Sequence, residues 1–231
     1  VKPALEGAEL STYNAARSVA VPASANRVSS ILTDFSLVKI AVSGTYAYAA
    51  AGSGGMVAFN VEQPDAPVFV GSVTTTDAAD IETDGSYAYV ADRAGGIRII
   101  DVSDPGSPAI VASYAGETGT EITAARHLAL DEANDRLFVI DRAGDTTLFA
   151  IDVSTPATPV ILDSHEDASY LFKSLAVNAV GADSYVYVVG GTSLLEYPFV
   201  SGAFQTAEVY TPAMDEYTPQ VVATDGTSIY T

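Results

Sequence analysis

The chain has 231 residues, with 29 Asp and Glu against 10 Lys and Arg, a net charge of −19, and no cysteine or tryptophan. That balance argues against nucleic acid and against an anionic membrane surface as partners, because both bind through cationic neutralisation. Without cysteine there is no disulfide, thiolate nucleophile or Cys-ligated metal, and no run of 18 apolar residues occurs to make a membrane-spanning helix.

Taken in order, residues 1–37 are a lead-in rich in Ala, Ser and Asn. Within it, 9–19 suits a short helix, 21–26 a linker, and 27–35 (RVSSILTDF) a strand of the kind that would close a ring of blades. No basic region followed by an apolar core precedes it, so no signal peptide is visible. The chain starts without Met and stops inside a strand pair, which predicts a piece of a longer polypeptide.

From residue 38 to 231 the sequence repeats. The clearest unit is SYAYVADRAGGIRIIDVSDPGSP at 86–108. Its Tyr and Ala residues alternate with the period of two that a pleated strand needs. Ala94-Gly95-Gly96 supplies a reversal, 97–102 is a β-branched strand, and Asp, Ser and Pro end it. Copies follow at 43–67 (SGTYAYAAAGSGGMVAFNVEQPDAP) and 136–159 (RLFVIDRAGDTTLFAIDVSTPATP), with a weaker one at 184–200. The matched aromatics Tyr48, Tyr89, Phe138, Tyr187 and Tyr230 are spaced by 41, 49, 49 and 43 residues. A short apolar strand precedes each aromatic strand, and a further one follows the prolines. Four short strands per unit at this period predict an all-β propeller, with four blades and part of a fifth in this chain. A helical solenoid lacks support because no helical stripe occurs, and a β-sandwich does not repeat in sequence in this way.

These units resemble the LVIVD-repeat family of β-propellers, strongly over 38–170 and loosely beyond. The fourth repeat departs, since Glu196-Tyr-Pro-Phe-Val-Ser-Gly replaces the Asp-Val-Ser-x-Pro turn. The resemblance implies a propeller on secreted or surface-attached proteins, and no catalytic motif to carry over.

Aligned, the repeats place Lys39, Asp80, Arg126, His127 and Lys173 at the start of the innermost strands, a charged ring at the channel mouth suited to an anion or carboxylate. The inter-blade connections, expected at 75–78, 115–125, 166–172 and 211–219, lie on one face and hold Glu117, Glu121, His165, Glu166, Asp167, Asp215, Glu216 and Tyr217, which makes that face the candidate binding surface. Asp131, Asn134 and Asp135 form an oxygen-rich turn that calcium would suit, though without the Gly and distal Glu of an EF-hand. No other cofactor is evident. The recurring Asp92-Arg93 and Asp141-Arg142 read as a structural pair or turn bond.

The sequence thus points first to a non-catalytic, extracellular or cell-surface scaffold, on a salt-adapted organism if the acidity has that cause. Its partner would be a protein or cell-surface component, another copy, or the remainder of a longer chain. The alternatives are a propeller enzyme of lactonase, glycosidase or quinoprotein type with its site at the channel mouth, and a calcium-stabilised adhesion or filament subunit.

Overall fold

Each repeat folds as an up-and-down sheet because its β-branched and aromatic strands are short and its turns carry Gly, Asp and Pro. In the computed structural model the described residues are 36–142, 146–210, 221–224 and 228–230. The first blade is β1 (Lys39–Ser43), β2 (Tyr46–Ala50), β3 (Met56–Asn60) and β4 (Val68–Val73). The second is β5 (Asp80–Thr83), β6 (Tyr87–Ala91), β7 (Ile97–Asp101) and β8 (Ala109–Tyr114). A small hairpin, β9 (Gly116–Glu117) and β10 (Thr120–Glu121), leads to the third blade. This comprises β11 (Ala125–Asp131), a 3₁₀ turn at Glu132–Asn134, β12 (Arg136–Asp141), β13 (Thr146–Asp152) and β14 (Val160–Asp167). The fourth is β15 (Phe172–Val180), β16 (Asp183–Gly190), β17 (Ser193–Val200), β18 (Ala203–Phe204) and β19 (Glu208–Tyr210), and β20 (Ala223–Thr224) and β21 (Ile229–Tyr230) open a fifth. All pairings are antiparallel between successive strands, except that β18 and β19 share β17.

The innermost strands neighbour one another in series, β1 against β5, β5 against β11, β11 against β15 and β15 against β20. Both faces of the middle blades are therefore buried, and the period of two sends alternate side chains to opposite neighbours. Tyr48, Met56 and Ala58 pack on Ile81, Val90 and Ile100. Tyr89, Ile97 and Ile99 pack on Leu128, Val139 and Phe149. Phe138, Ile140 and Leu148 pack on Leu175, Val188 and Leu195, and Tyr187 and Leu194 on Val222. The core lies between blades, at the spacing the aromatics predict.

The Asp-Val-Ser turn has a simple cause. Asp101 Oδ1 accepts from Ser103 N, Asp152 Oδ1 from Ser154 N, and Asn60 Oδ1 from Glu62 N, so the side chain caps the end of the third strand. The fourth repeat lacks this device and turns instead through Ser201 and Gly202, both left-handed, with φ of 55° and 83°.

Two expectations need correction. The fourth strand of the third repeat runs on to Asp167, so His165, Glu166 and Asp167 lie in β14 opposite Leu148, Thr147 and Thr146 rather than in a connection. The stretch 203–210 forms two strands, not one. Pro198 of β17 has no N–H to give the outer strand, and the ladder is broken at 205–207, beside it. The helix expected at 9–19 and the closing strand at 27–35 lie outside the described residues.

Candidate functional site

The strand-one starts, the inter-blade connections and the second-to-third hairpin turns share one face. The backbone shows this directly, because Gly52 bridges Ala78 and Arg93 bridges Ala125.

At the centre of that face, three of the five predicted channel-mouth residues meet. Asp80 is buried, 2% exposed. Its Oδ1 lies 3.5 Å from Lys39 Nζ of the first blade and its Oδ2 3.5 Å from His127 Nδ1 of the third. Its oxygens also accept from Ile81 N at 2.8 Å and Leu128 N at 3.2 Å. The other two point elsewhere. Lys173 Nζ donates to Gly191 O at 2.9 Å. Arg126 lies beside Arg142, and its Nε is buried with no hydrogen-bond partner.

One step below Asp80 lies Glu82, which residue-by-residue reading of the sequence passed over. The repeats align it with Ala41, Ala129, Ala176 and Ala223, so it is the one carboxylate in a tier of alanines. Burial, with help from Asp80 and Glu132, raises its carboxyl from the ordinary range to about 7, against the opposing pull of Lys39. The signal was available in the alignment, as the single departure from a small residue at that tier.

Around the mouth, the connection after β8 is folded rather than loose. Ile122 is buried and donates its N–H to Ala115 O at 2.9 Å, which clamps the β9–β10 hairpin. Glu117 and Glu121 project from it into solvent. Gly119 N donates to Glu121 Oε1 at 3.1 Å and holds that carboxyl below its usual range. Of the three predicted residues that lie in β14, Glu166 is exposed and His165 and Asp167 are half-buried. His165 packs against Tyr197, with ring centroids 5.0 Å apart and the planes tilted by 51°. Asp167 accepts from Tyr197 Oη at 2.8 Å and from Ser169 N and Tyr170 N, so it shapes the turn into β15. Asp215, Glu216 and Tyr217 lie outside the described residues.

At the opposite end of β11, Asp131 Oδ1 accepts from Asn134 N at 3.2 Å, and Oδ2 accepts from Asn134 Nδ2 at 2.9 Å and Ser184 Oγ at 2.6 Å. Asp135 takes a left-handed φ of 51° to end the turn. Among the described residues, no three His, Asp or Glu side chains converge as metal ligands would.

The recurrent Asp-Arg word serves the same face with partners other than those its adjacency suggests. Asp92 binds Arg98, whose Nε is 2.8 Å away, and accepts from Thr76 N and Asp77 N at 3.0 and 2.6 Å. Burial pushes its carboxyl up, but these bonds, with the Thr75 side chain nearby, outweigh burial and hold it below the usual range. Asp141 likewise accepts from Ala124 N at 2.7 Å. In both blades, the carboxylate ties down the connection that enters from the preceding blade.

No curated protein sequence matches the chain. Among solved structures, it is similar to a protein from Lactobacillus plantarum, with a TM-score of 0.63 and 16% identity, over 81% of this chain and 60% of that one. It is also similar to a chain of a nidogen/laminin complex, with a TM-score of 0.56 and 14% identity, over 85% of this chain and 71% of that one. The chain thus spans 60% of the length of the L. plantarum protein. At such identities the likeness is one of fold. Residues 38–75 and 76–116 each match the LVIVD repeat. The chain is a β-propeller of four-stranded antiparallel blades that carries LVIVD repeats over residues 38–116.

Proposed function

We propose that this chain is a non-catalytic binding module, secreted or displayed at a cell surface, that takes a protein or cell-surface component on the face carrying the inter-blade connections. The observation that carries the reading is the connection between the second and third blades. It is built as a clamped hairpin with two exposed carboxylates, Glu117 and Glu121. A loop already held in one conformation gives up little entropy when a partner docks. The net charge of −19 suits a surface exposed to the medium and resists non-specific association.

The test is binding of the immobilised chain to a panel of purified cell-surface and matrix proteins. At least one should bind, and the double substitution Glu117→Lys, Glu121→Lys should weaken it by about tenfold or more, as loss of charge complementarity does. A panel with no binder, or a binder indifferent to the double substitution, would overturn the reading.

A propeller enzyme with its site at the channel mouth is the second reading. Glu82 favours it, because a carboxyl near 7 beside the His127–Asp80 contact has the protonation range of a general acid or base. Turnover of a lactone or glycoside that is lost in Glu82→Gln would select it over the scaffold.

A further inference from the structure

Asp84 and Gly85 make the turn between β5 and β6, and the fold calls for both residue types. Gly85 has a left-handed φ of 93°, and a Cβ there would come within 2.8 Å of Ser43 Oγ in the first blade. Glycine alone takes that conformation at little cost. The Asp84 carboxylate closes the turn from the other side. Its Oδ1 accepts from Ser86 N at 2.8 Å and Tyr87 N at 2.7 Å, as turn aspartates do. Its Oδ2 accepts from Tyr89 Oη at 2.8 Å.

Asp-Gly is also the aspartyl pair most prone to cyclise, because glycine has no side chain to shield its nitrogen. In the reaction, Gly85 N would bond to Asp84 Cγ, and the carboxyl hydroxyl would leave with the amide hydrogen as water. The resulting five-membered imide then takes up water. Addition at Cγ restores aspartate. Addition at the Asp84 main-chain carbonyl carbon breaks its bond to Gly85 N and leaves isoaspartate, whose chain runs through Cγ. Water is the only co-reactant, and the final mass equals the starting mass.

The folded turn withholds both reacting groups. Gly85 N already donates to Thr83 Oγ1 at 3.0 Å. That hydroxyl is itself fixed, since it donates to Tyr87 O at 2.9 Å. The carboxyl would have to turn its carbon toward Gly85 N, against bonds to two backbone amides and a tyrosine. The Tyr89 ring is buried and packs with Leu128, Val139 and Phe149 of the third blade, so its hydroxyl is held in place.

We propose that Asp84–Gly85 is a conditional modification site, inert in the closed turn and converted to isoaspartate when the β5–β6 turn opens. Isoaspartate adds a carbon to the main chain and displaces the carboxylate, so the bonds to Ser86, Tyr87 and Tyr89 are lost as a set. The turn lies at the end of the second blade away from the connection face, and this inference does not rest on the binding reading.

The test is incubation of the full chain, folded or in urea, followed by peptide mapping that separates isoaspartyl from aspartyl peptides. Mapping also resolves residue 84 from Asp225-Gly226, the other Asp-Gly pair of the sequence. The unfolded parent should form isoaspartate at 84 about tenfold faster or more than the folded parent, because hydrogen bonds to a charged group are each worth about that factor. In the folded chain, Tyr89→Phe removes the partner of the carboxyl and Thr83→Val the partner of the nitrogen. Each should speed the reaction about threefold or more, as loss of one hydrogen bond does. Tyr197→Phe deletes the matching tyrosine bond to Asp167 in the fourth blade and controls for general loss of stability. It should leave residue 84 at the parent's rate. Equal rates at 84 in the folded and unfolded parent, or Tyr89→Phe no faster than Tyr197→Phe, overturn the proposal.

Discussion

Asp80 holds four groups, Lys39, His127, Ile81 N and Leu128 N, drawn from three blades. A buried carboxylate with that many donors is stabilising only as a set, since removing it strands the partners. Asp80→Ala should lower stability by about 2–4 kcal/mol in urea denaturation, whereas the exposed Glu117→Ala should change it by less than about 0.5 kcal/mol. Glu82 behaves oppositely. Its folded pKa of about 7 lies above the ordinary value of 4.5, so between those two pH values the folded chain binds the extra proton. Its contribution is therefore complete below the lower value and is lost as pH rises through the higher one. Glu82→Gln should flatten the fall in urea midpoint between those pH values and, above them, gain up to about 3 kcal/mol over the parent.

At the scale of the element, Asp92 and Asp141 each sew a connection to the strand that follows it. Asp92 has a lowered pKa, so its contribution is full above the usual carboxylate range and disappears as pH falls through its folded value. Asp92→Asn should steepen neither limb near neutrality but should flatten the acid limb of a stability-against-pH curve, measured by thermal melts. Strand identity and the blade-forming aromatics were legible in the sequence, because Tyr48, Tyr89, Phe138 and Tyr187 fill the same point between successive blades. The Asp-Ser turns were legible for the same reason, as a local bond copied with each repeat. The site was less so. Asp80, Lys39 and His127 fell into place from alignment alone, but Arg93 and Arg142 sit in identical words. Arg93 pairs with Asp77, sixteen residues before it, a contact that appears only once the connection is folded over the strand end. The reach of β14 to Asp167 escaped because its polar run, Asp163 to Asp167, hides a strand that alternates between exposed and half-buried positions.

At the scale of the molecule, each blade buries its neighbour, and the series β1, β5, β11, β15 shows what that contact is worth. Ile81, Leu128 and Leu175 occupy equivalent positions and are 0%, 2% and 7% exposed, while Ile40 is 54% exposed. Ile81→Ala should cost about 2–5 kcal/mol and Ile40→Ala under about 1 kcal/mol, since only the first opens a cavity. Paired chemical-denaturation curves would show it, and equal costs would mean that Ile40 is covered in solution.

The outer strands of the first three blades share one more feature. Each slips register against its partner at the same place, between Ala58 and Phe59, Ile99 and Ile100, and Ala150 and Ile151. These strands also leave Val68, Phe69, Ile110, Val160 and Leu162 exposed at the rim. An irregular rim cannot serve as a template for a flat neighbouring strand. Duplicating the repeat thus duplicated a safeguard against aggregation, and a chain that multiplies its greasy edges multiplies with them the kink that keeps those edges from zipping to another molecule.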